Sequence, residues 1–430
     1  MTVRQVSCGA QGTRFADEEA RMAELDDDER SVSATFDLSC QELPPDQRRM
    51  FALLTVHRGP DIDVSGAAAL AGTGVRQAER LLDRLCKARL IDHAGPGRYR
   101  LLDQVRVFAA EHAVLPLADR EVAAGRLLDH VLGMAEAADV LLSPHRYRPD
   151  FGLPPATSGF AGLAEAKAWL AVELPNLVAL CRTALVYGVY NRCWQLAYTL
   201  GGYFYLARLW DPWIETHTMA IAAARNLGDQ RAEAMTLNNM GVAYVDRGER
   251  DQAAACYQRA LGLFRVVGDE HGLSNCLVNL AWVRHYQGNH AVALRDMWRA
   301  VEFYRHAASA GNAAITLRGI ALMQVDMGAV TYAIRHAADS LAAFRRLGMT
   351  LDAVLALNIL GHAYFKVGNH TRAAACYREA IALSEQNGSR SEAARAELGL
   401  SRIATAAGRA DEAAGHLARA ERLHPAAGDH

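Results

Sequence analysis

The sequence has no surplus of either charge. Across 430 residues, 46 Lys and Arg stand against 48 Asp and Glu, a net charge of −2. No chain-wide field therefore draws it to nucleic acid or to an anionic membrane, and only local patches can do so. The eight cysteines, Cys8, Cys40, Cys86, Cys181, Cys193, Cys256, Cys276 and Cys376, contain no C-x-x-C pair and no Cys/His grouping at zinc-finger spacing. They read as reduced packing residues, with cytoplasm as the expected compartment. No uninterrupted apolar run reaches about 18 residues and no charged-then-apolar leader opens the chain, so neither a membrane partner nor export is expected. The phosphate-cradling G-x-x-x-x-G-K-[ST], the nucleophile elbow G-x-S-x-G and the zinc helix H-E-x-x-H are all missing. The reading is a protein that is not an enzyme and carries no cofactor.

A strict beat fills the second half. Gly248, Gly288, Gly328, Gly368 and Gly408 stand forty residues apart, and Ala253, Ala293, Ala333, Ala373 and Ala413 follow each by five. A fixed period in this range marks a repeat array, which presents a surface for holding something. Lined up on the glycines, Leu237, Leu277, Leu317 and Leu357 share a column, and Met240, Leu280, Ile320, Leu360 and Leu400 share the next. Gly241, Ala281, Ala321, Gly361 and Ser401 are small, as are Ala260, Ala300, Ser340, Ala380 and Ala420. Small columns let two helices cross closely, so each repeat reads as two antiparallel helices joined at a left-handed glycine. Gly228, Gly268, Gly348 and Gly388 close the second helices, with Ala308 as the departure. The pattern is tetratricopeptide-like with a period of forty instead of the usual 34 or so. A degenerate unit precedes it, in which Arg208 and Trp213 replace Gly and Ala.

Such an array should wind into a right-handed solenoid with a concave groove lined by its first helices. The candidate partner-binding residues are Asn238, Asp246, Trp282, His285, Arg318, Asn358, His362 and Lys366, whose amides and charges suit a peptide backbone or carboxylates. His285 and His290 straddle a turn and make too sparse a pair for a metal site.

The fold class read from the chain is mainly α, a winged-helix domain followed by this solenoid. Residues 1–43 form an acidic segment, 44–114 the winged helix, 115–190 a helical linker region, and 191–425 the repeats. Within 44–114, Pro44 and Pro45 open a helix, Asp63 and Ser65 cap a second, and a third runs from about Val75 to Leu90. The turn Gly95-Pro96-Gly97 then joins two short strands. The third helix carries Arg76, Arg80, Arg84 and Lys87 at helical spacing, candidate contacts to a DNA major groove. Glu79 and Asp83 interleave and are expected to neutralise them, leaving an ion-paired or docking face.

Several strings resemble a known family. S-V-S-A-T-F-D-L-S from Ser31, L-P-P-D-Q-R-R-M-F from Leu43, A-E-R-L-L-D-R-L from Ala78, G-R-Y-R-L-L-D from Gly97 and E-A-K-A-W-L-A-V-E-L-P-N-L from Glu165 are similar to the region after the NB-ARC ATPase of AfsR/SARP-type transcriptional regulators. T-L-N-N-M-G-V-A-Y and A-L-G-L-F-R-V-V-G-D resemble their tetratricopeptide tail. The resemblance implies a STAND-class signalling module in which repeats sense a partner, with the winged helix serving chiefly as a hinge. The sequence opens past the place of the P-loop domain. Leu102 stands where the family has the histidine that meets a nucleotide phosphate, and an aliphatic chain cannot donate that hydrogen bond. No nucleotide is expected. The leading expectation is a non-enzymatic regulatory adaptor holding a protein or peptide, in transcriptional control of a secondary-metabolite pathway. The alternatives are a DNA-binding winged-helix regulator, and a small-molecule sensor or enzyme that has recruited the groove.

Overall fold

The structure, a computed structural model, describes residues 43–101, 105–106, 115–143, 148–149, 151–152 and 159–423. Almost all of the acidic N-terminal segment, Cys8, Cys40 and the Leu102-Asp103 position lie outside the described residues. The chain is mainly helical. Its contacts divide it into two units, Met1–Ala232 and Glu233–His430.

The first unit opens with α1 (Pro45–Leu54), which starts on a proline because a first-turn N–H needs no partner, and buries Met50, Phe51, Leu53 and Leu54. β1 (Ile62–Asp63) follows, then α2 (Val64–Ala71), capped by Asp63, whose carboxylate accepts from the Gly66 N–H at 2.7 Å. α3 (Val75–Lys87) buries Ala78, Leu81, Leu82 and Leu85 on one face. β2 (Asp92–Gly95) and β3 (Arg98–Arg100) form the hairpin, turning at Gly97 with φ 66°. The sheet order is β1-β3-β2, with Ile62 opposite Tyr99. β1 was not foreseen, since two residues are too few to show a period.

Longer helices follow: α4 (Leu117–Leu142), α5 (Leu163–Val186), α6 (Tyr190–Ala207) and α7 (Trp210–Leu227). Arg126 of α4 donates to the carbonyls of Ala69 (3.1 Å) and Leu70 (2.7 Å) at the C-terminal end of α2. By length and composition α5 could cross a membrane, with a mean hydropathy of 1.4 in its most apolar stretch, 44% of which is buried. Glu173 and Asn176 interrupt that stretch, which is why no apolar run is read from the sequence.

The second unit consists of helix pairs. α8 (Gln230–Asp246) pairs with α9 (Arg250–Val267), α10 (Glu270–Tyr286) with α11 (His290–His306), and α12 (Ala310–Asp326) with α13 (Val330–Leu347). α14 (Thr350–Lys366) then pairs with α15 (His370–Asn387), and α16 (Arg390–Ala406) with α17 (Ala410–Leu423). The Leu column from Leu237 to Leu357 is buried, and Ala253, Ala293, Ala333 and Ala373 are completely so.

The small column has a matching column of variable size in the second helices. A Cβ on Gly241 would lie 2.5 Å from the Tyr257 ring, and one on Gly361 would lie 2.8 Å from Tyr377. In the middle repeats, where Ala replaces Gly, the facing residues are Met297 and Ala337. At Gly241, Ala281 and Gly361 a small residue on one helix makes room for a larger one on the other. The turn glycines take the left-handed backbone, with φ between 71° and 89° from Gly408 to Gly248. Ala308 holds φ 53° at the position of a turn glycine, strain that an L side chain resists.

Ala308→Gly should raise the denaturation midpoint, with a net gain of about 0.5 kcal/mol after the added flexibility of the unfolded chain is offset. Gly328→Pro should lower it steeply, because proline cannot adopt the φ of 77° found there. A midpoint unmoved by both substitutions would contradict this turn geometry.

Candidate functional site

Four of the eight expected groove residues serve the array itself. Asn238 of α8 accepts from Asn279 Nδ2 of α10 at 3.1 Å. Arg318 of α12 pairs with Asp352 of α14, and its guanidinium lies 5.6 Å from the centre of the Phe344 ring. Asn358 is 4% exposed and donates through Nδ2 to the Glu392 carbonyl (3.1 Å) and carboxylate (2.9 Å) of α16. His285 is buried, with Nε2 3.1 Å from Asp326 and Nδ1 2.9 Å from His290 Nδ1. The partners of Asn238, Arg318, Asn358 and His285 Nε2 all sit one repeat on, in the next first helix. Asn238, His285, Arg318 and Asn358, expected to line the groove, are thus each bonded to the neighbouring repeat. A half-buried polar group beside another helix has lost its water and takes the nearest partner. His285 and His290 bond to one another, and among the described residues no three His, Cys, Asp or Glu side chains converge as metal ligands.

The remaining expected residues keep an open side. Asp246 and Trp282 are half-buried, His362 is half-buried, and Lys366 is exposed. Trp282 packs over Gly319 of the next first helix, where an added Cβ would come within 3.3 Å of the indole. It stacks on Tyr286 with ring centres 6.2 Å apart, and Arg250 caps that tyrosine at 5.2 Å. Tyr286, 53% exposed, was not among the expected residues. Its place at the end of a first helix, before the turn, was the available signal.

In the first unit, Arg76, Arg80, Arg84 and Lys87 are all exposed on α3. The expected neutralisation does not occur. Among the described residues none of the four forms an ion pair with Glu79 or Asp83. Asp83 instead accepts from the Tyr99 hydroxyl of the hairpin at 2.9 Å. Burial, joined by that carboxylate, pushes the Tyr99 pKa up to about 12.

A polar knot that sequence reasoning missed joins the hairpin to α5. Arg98 of β3 pairs with Asp61 and with Glu173. Asn176 Nδ2 donates to Asp61 and Glu173, each at 2.9 Å. His57 is buried, and its Nε2 lies 2.9 Å from the Asp61 carbonyl and 3.2 Å from Asn176 Oδ1. Both partners are acceptors, so Nε2 carries the proton and Nδ1 is left buried without a partner. Arg106 donates to the carbonyls of His57 and Gly59. Burial lowers the His57 pKa. Burial works to raise Asp61, but its hydrogen bonds from Arg98 and Asn176 outweigh that and hold it below its usual value. Bonds to Glu173 and to Asp61 keep Arg98 charged against its own burial. The only sequence trace of this knot is the E-L-P-N string, which the resemblance picked out without saying why.

Asn176→Leu should cost about 1–3 kcal/mol, since it removes one acceptor from the buried His57 and one donor from each of Asp61 and Glu173. His57 adds a sign for pH. The unfolded imidazole takes a proton near its usual 6.5, and the folded one resists it. Its contribution is complete above that pH and is lost as pH falls through the folded value. Denaturation midpoints should therefore drop on acidification below about 6.5, and His57→Gln should shrink the drop. An unchanged pH profile in that variant would exclude His57 as a source.

Residues 232–306 and 354–387 match family models of the tetratricopeptide repeat. The chain is 28% identical to Regulatory protein AfsR of Streptomyces griseus, over 87% of this chain and 46% of that protein. It is 28% identical to Regulatory protein AfsR of Streptomyces coelicolor, over 79% and 35% respectively. The chain thus spans less than half the length of these curated relatives. Among solved structures, a signal transduction ATPase with numerous domains and a tetratricopeptide repeat sensor from Pyrococcus horikoshii gives a TM-score of 0.48 at 14% identity, covering 91% of this chain and 59% of that one. The resemblance carried by the sequence strings therefore holds along most of the chain, which is similar to the AfsR regulatory proteins and carries tetratricopeptide repeats in its C-terminal part.

Proposed function

We propose that this chain is a non-enzymatic, cytoplasmic regulatory adaptor that holds a protein or peptide on the first-helix side of its repeats, in transcriptional control of a secondary-metabolite pathway. Residues 44–114 are read as a winged helix, 115–190 as a helical linker and 191–425 as repeats, acting without nucleotide. The observation that carries the reading is the contrast along one side of the array. Asn238, Arg318 and Asn358 are committed to neighbouring helices, while Trp282, Tyr286 and Lys366 keep exposed surface. Committed bridges make a stiff platform. A stacked aromatic pair with one exposed and one half-buried ring gives such a platform a low-entropy anchor for a polypeptide. The similarity to proteins named as regulators supports the same class of role.

Immobilised chain should retain a reproducible partner from its host. Trp282→Ala with Tyr286→Ala should weaken that capture about tenfold while helicity stays unchanged. Undiminished capture would place the binding surface elsewhere, and Asn358→Ala should lower stability and leave capture intact until the array melts.

A second reading, DNA contact by α3, is favoured by one observation: its four cations are exposed and lack ion pairs among the described residues. If they meet phosphates, the logarithm of affinity should fall with the logarithm of salt with a slope of roughly −0.9 per phosphate neutralised, near −3 to −4 in all. A slope near zero, or one unaltered by Arg80→Glu with Arg84→Glu, would remove this reading.

A further inference from the structure

The first helices of the last repeats carry exposed basic residues. His362 and Lys366 lie one turn apart on α14, so their Cβ atoms are roughly 6 Å apart on one face. Arg402 stands forty residues after His362, at the same register position of α16. α14 packs against α16, so Arg402 lies about one helix spacing away, on the order of 10 Å. Lys366 and Arg402 are exposed, and among the described residues neither has an ion-pair or hydrogen-bond partner. Their closeness registers on His362, whose pKa burial lowers and the two charges lower further.

The carboxylates around this group are occupied. Asp326, which acts on His362 in the opposite sense, is bonded to His285. Glu392 accepts from Asn358 and pairs with Arg395, while Glu397 holds His416 and Arg419. Exposed cations without ion-pair partners suit a ligand that brings carboxylates, and an acidic polypeptide does so.

We propose that His362, Lys366 and Arg402 anchor an acidic segment of the partner polypeptide. The proposal rests on the reading that the repeats hold a polypeptide. The test presents the full chain to a random peptide library displayed on phage, then measures the selected peptides by fluorescence anisotropy. Wild-type protein should enrich sequences rich in Asp and Glu. Those peptides should lose roughly tenfold in affinity for the Lys366→Glu, Arg402→Glu double variant, but not for Arg346→Glu, an exposed cation on a second helix. Circular dichroism checks that the variants remain helical. Enriched peptides without acidic bias, or acidic peptides that bind the double variant as well as wild type, would overturn the anchor while leaving a peptide-binding array. Enrichment of no peptide by the wild-type chain would overturn the array reading, and the anchor with it.

Discussion

The close contact between paired helices governs the second unit. Tyr377 lies between Gly361 of its own pair and Gly399 of the next first helix, where an added Cβ would come within 2.8 Å and 2.3 Å of its ring. Tyr257 lies against Gly241 in the same way. The contact leaves no room for a side chain at these glycines, and so fixes how closely the helices cross there. A single pair cannot bury its apolar face alone, so each depends on its neighbours. Stacking in turn brings the polar residues of one first helix within reach of the next. The inter-repeat bonds of Asn238, Arg318 and Asn358 follow from that spacing.

The repeat columns were legible because burial follows spacing. An Ala recurring every forty residues has to pack in the same place, and Ala253, Ala293, Ala333 and Ala373 do. The turn glycines were legible for a backbone reason, and Ala308 and Arg208 adopt the same left-handed conformation where glycine is missing. The bridging residues were not legible. An Asn on a helix face looks alike in one dimension whether it meets solvent or a helix 34 or 41 positions on. The knot was further out of reach, since Asn176 meets Asp61 across 115 residues. At α3 the local rule misled: Asp83 lies within one turn of Arg80 and Lys87, yet it bonds to Tyr99 from the hairpin.

The two units use polar chemistry for different ends. In the first, charges and amides are drawn inward to seat the hairpin on α5, and the outer face of α3 stays uncommitted. In the second, polar residues stiffen the stack, while aromatic and basic side chains keep open surface at Trp282, Tyr286, Lys366 and Arg402. A regulator that reads a partner needs such a division, since a platform that ordered itself only on binding would lose affinity to that ordering.

The most direct test is hydrogen–deuterium exchange on the full chain with and without a saturating bound partner, resolved to peptides. Added protection should concentrate in the first helices, at the ends of α10 and α14 that carry Tyr286 and Lys366, and leave α11 and α15 little changed. Protection confined to the second helices, or no change anywhere in the repeats, would contradict the account.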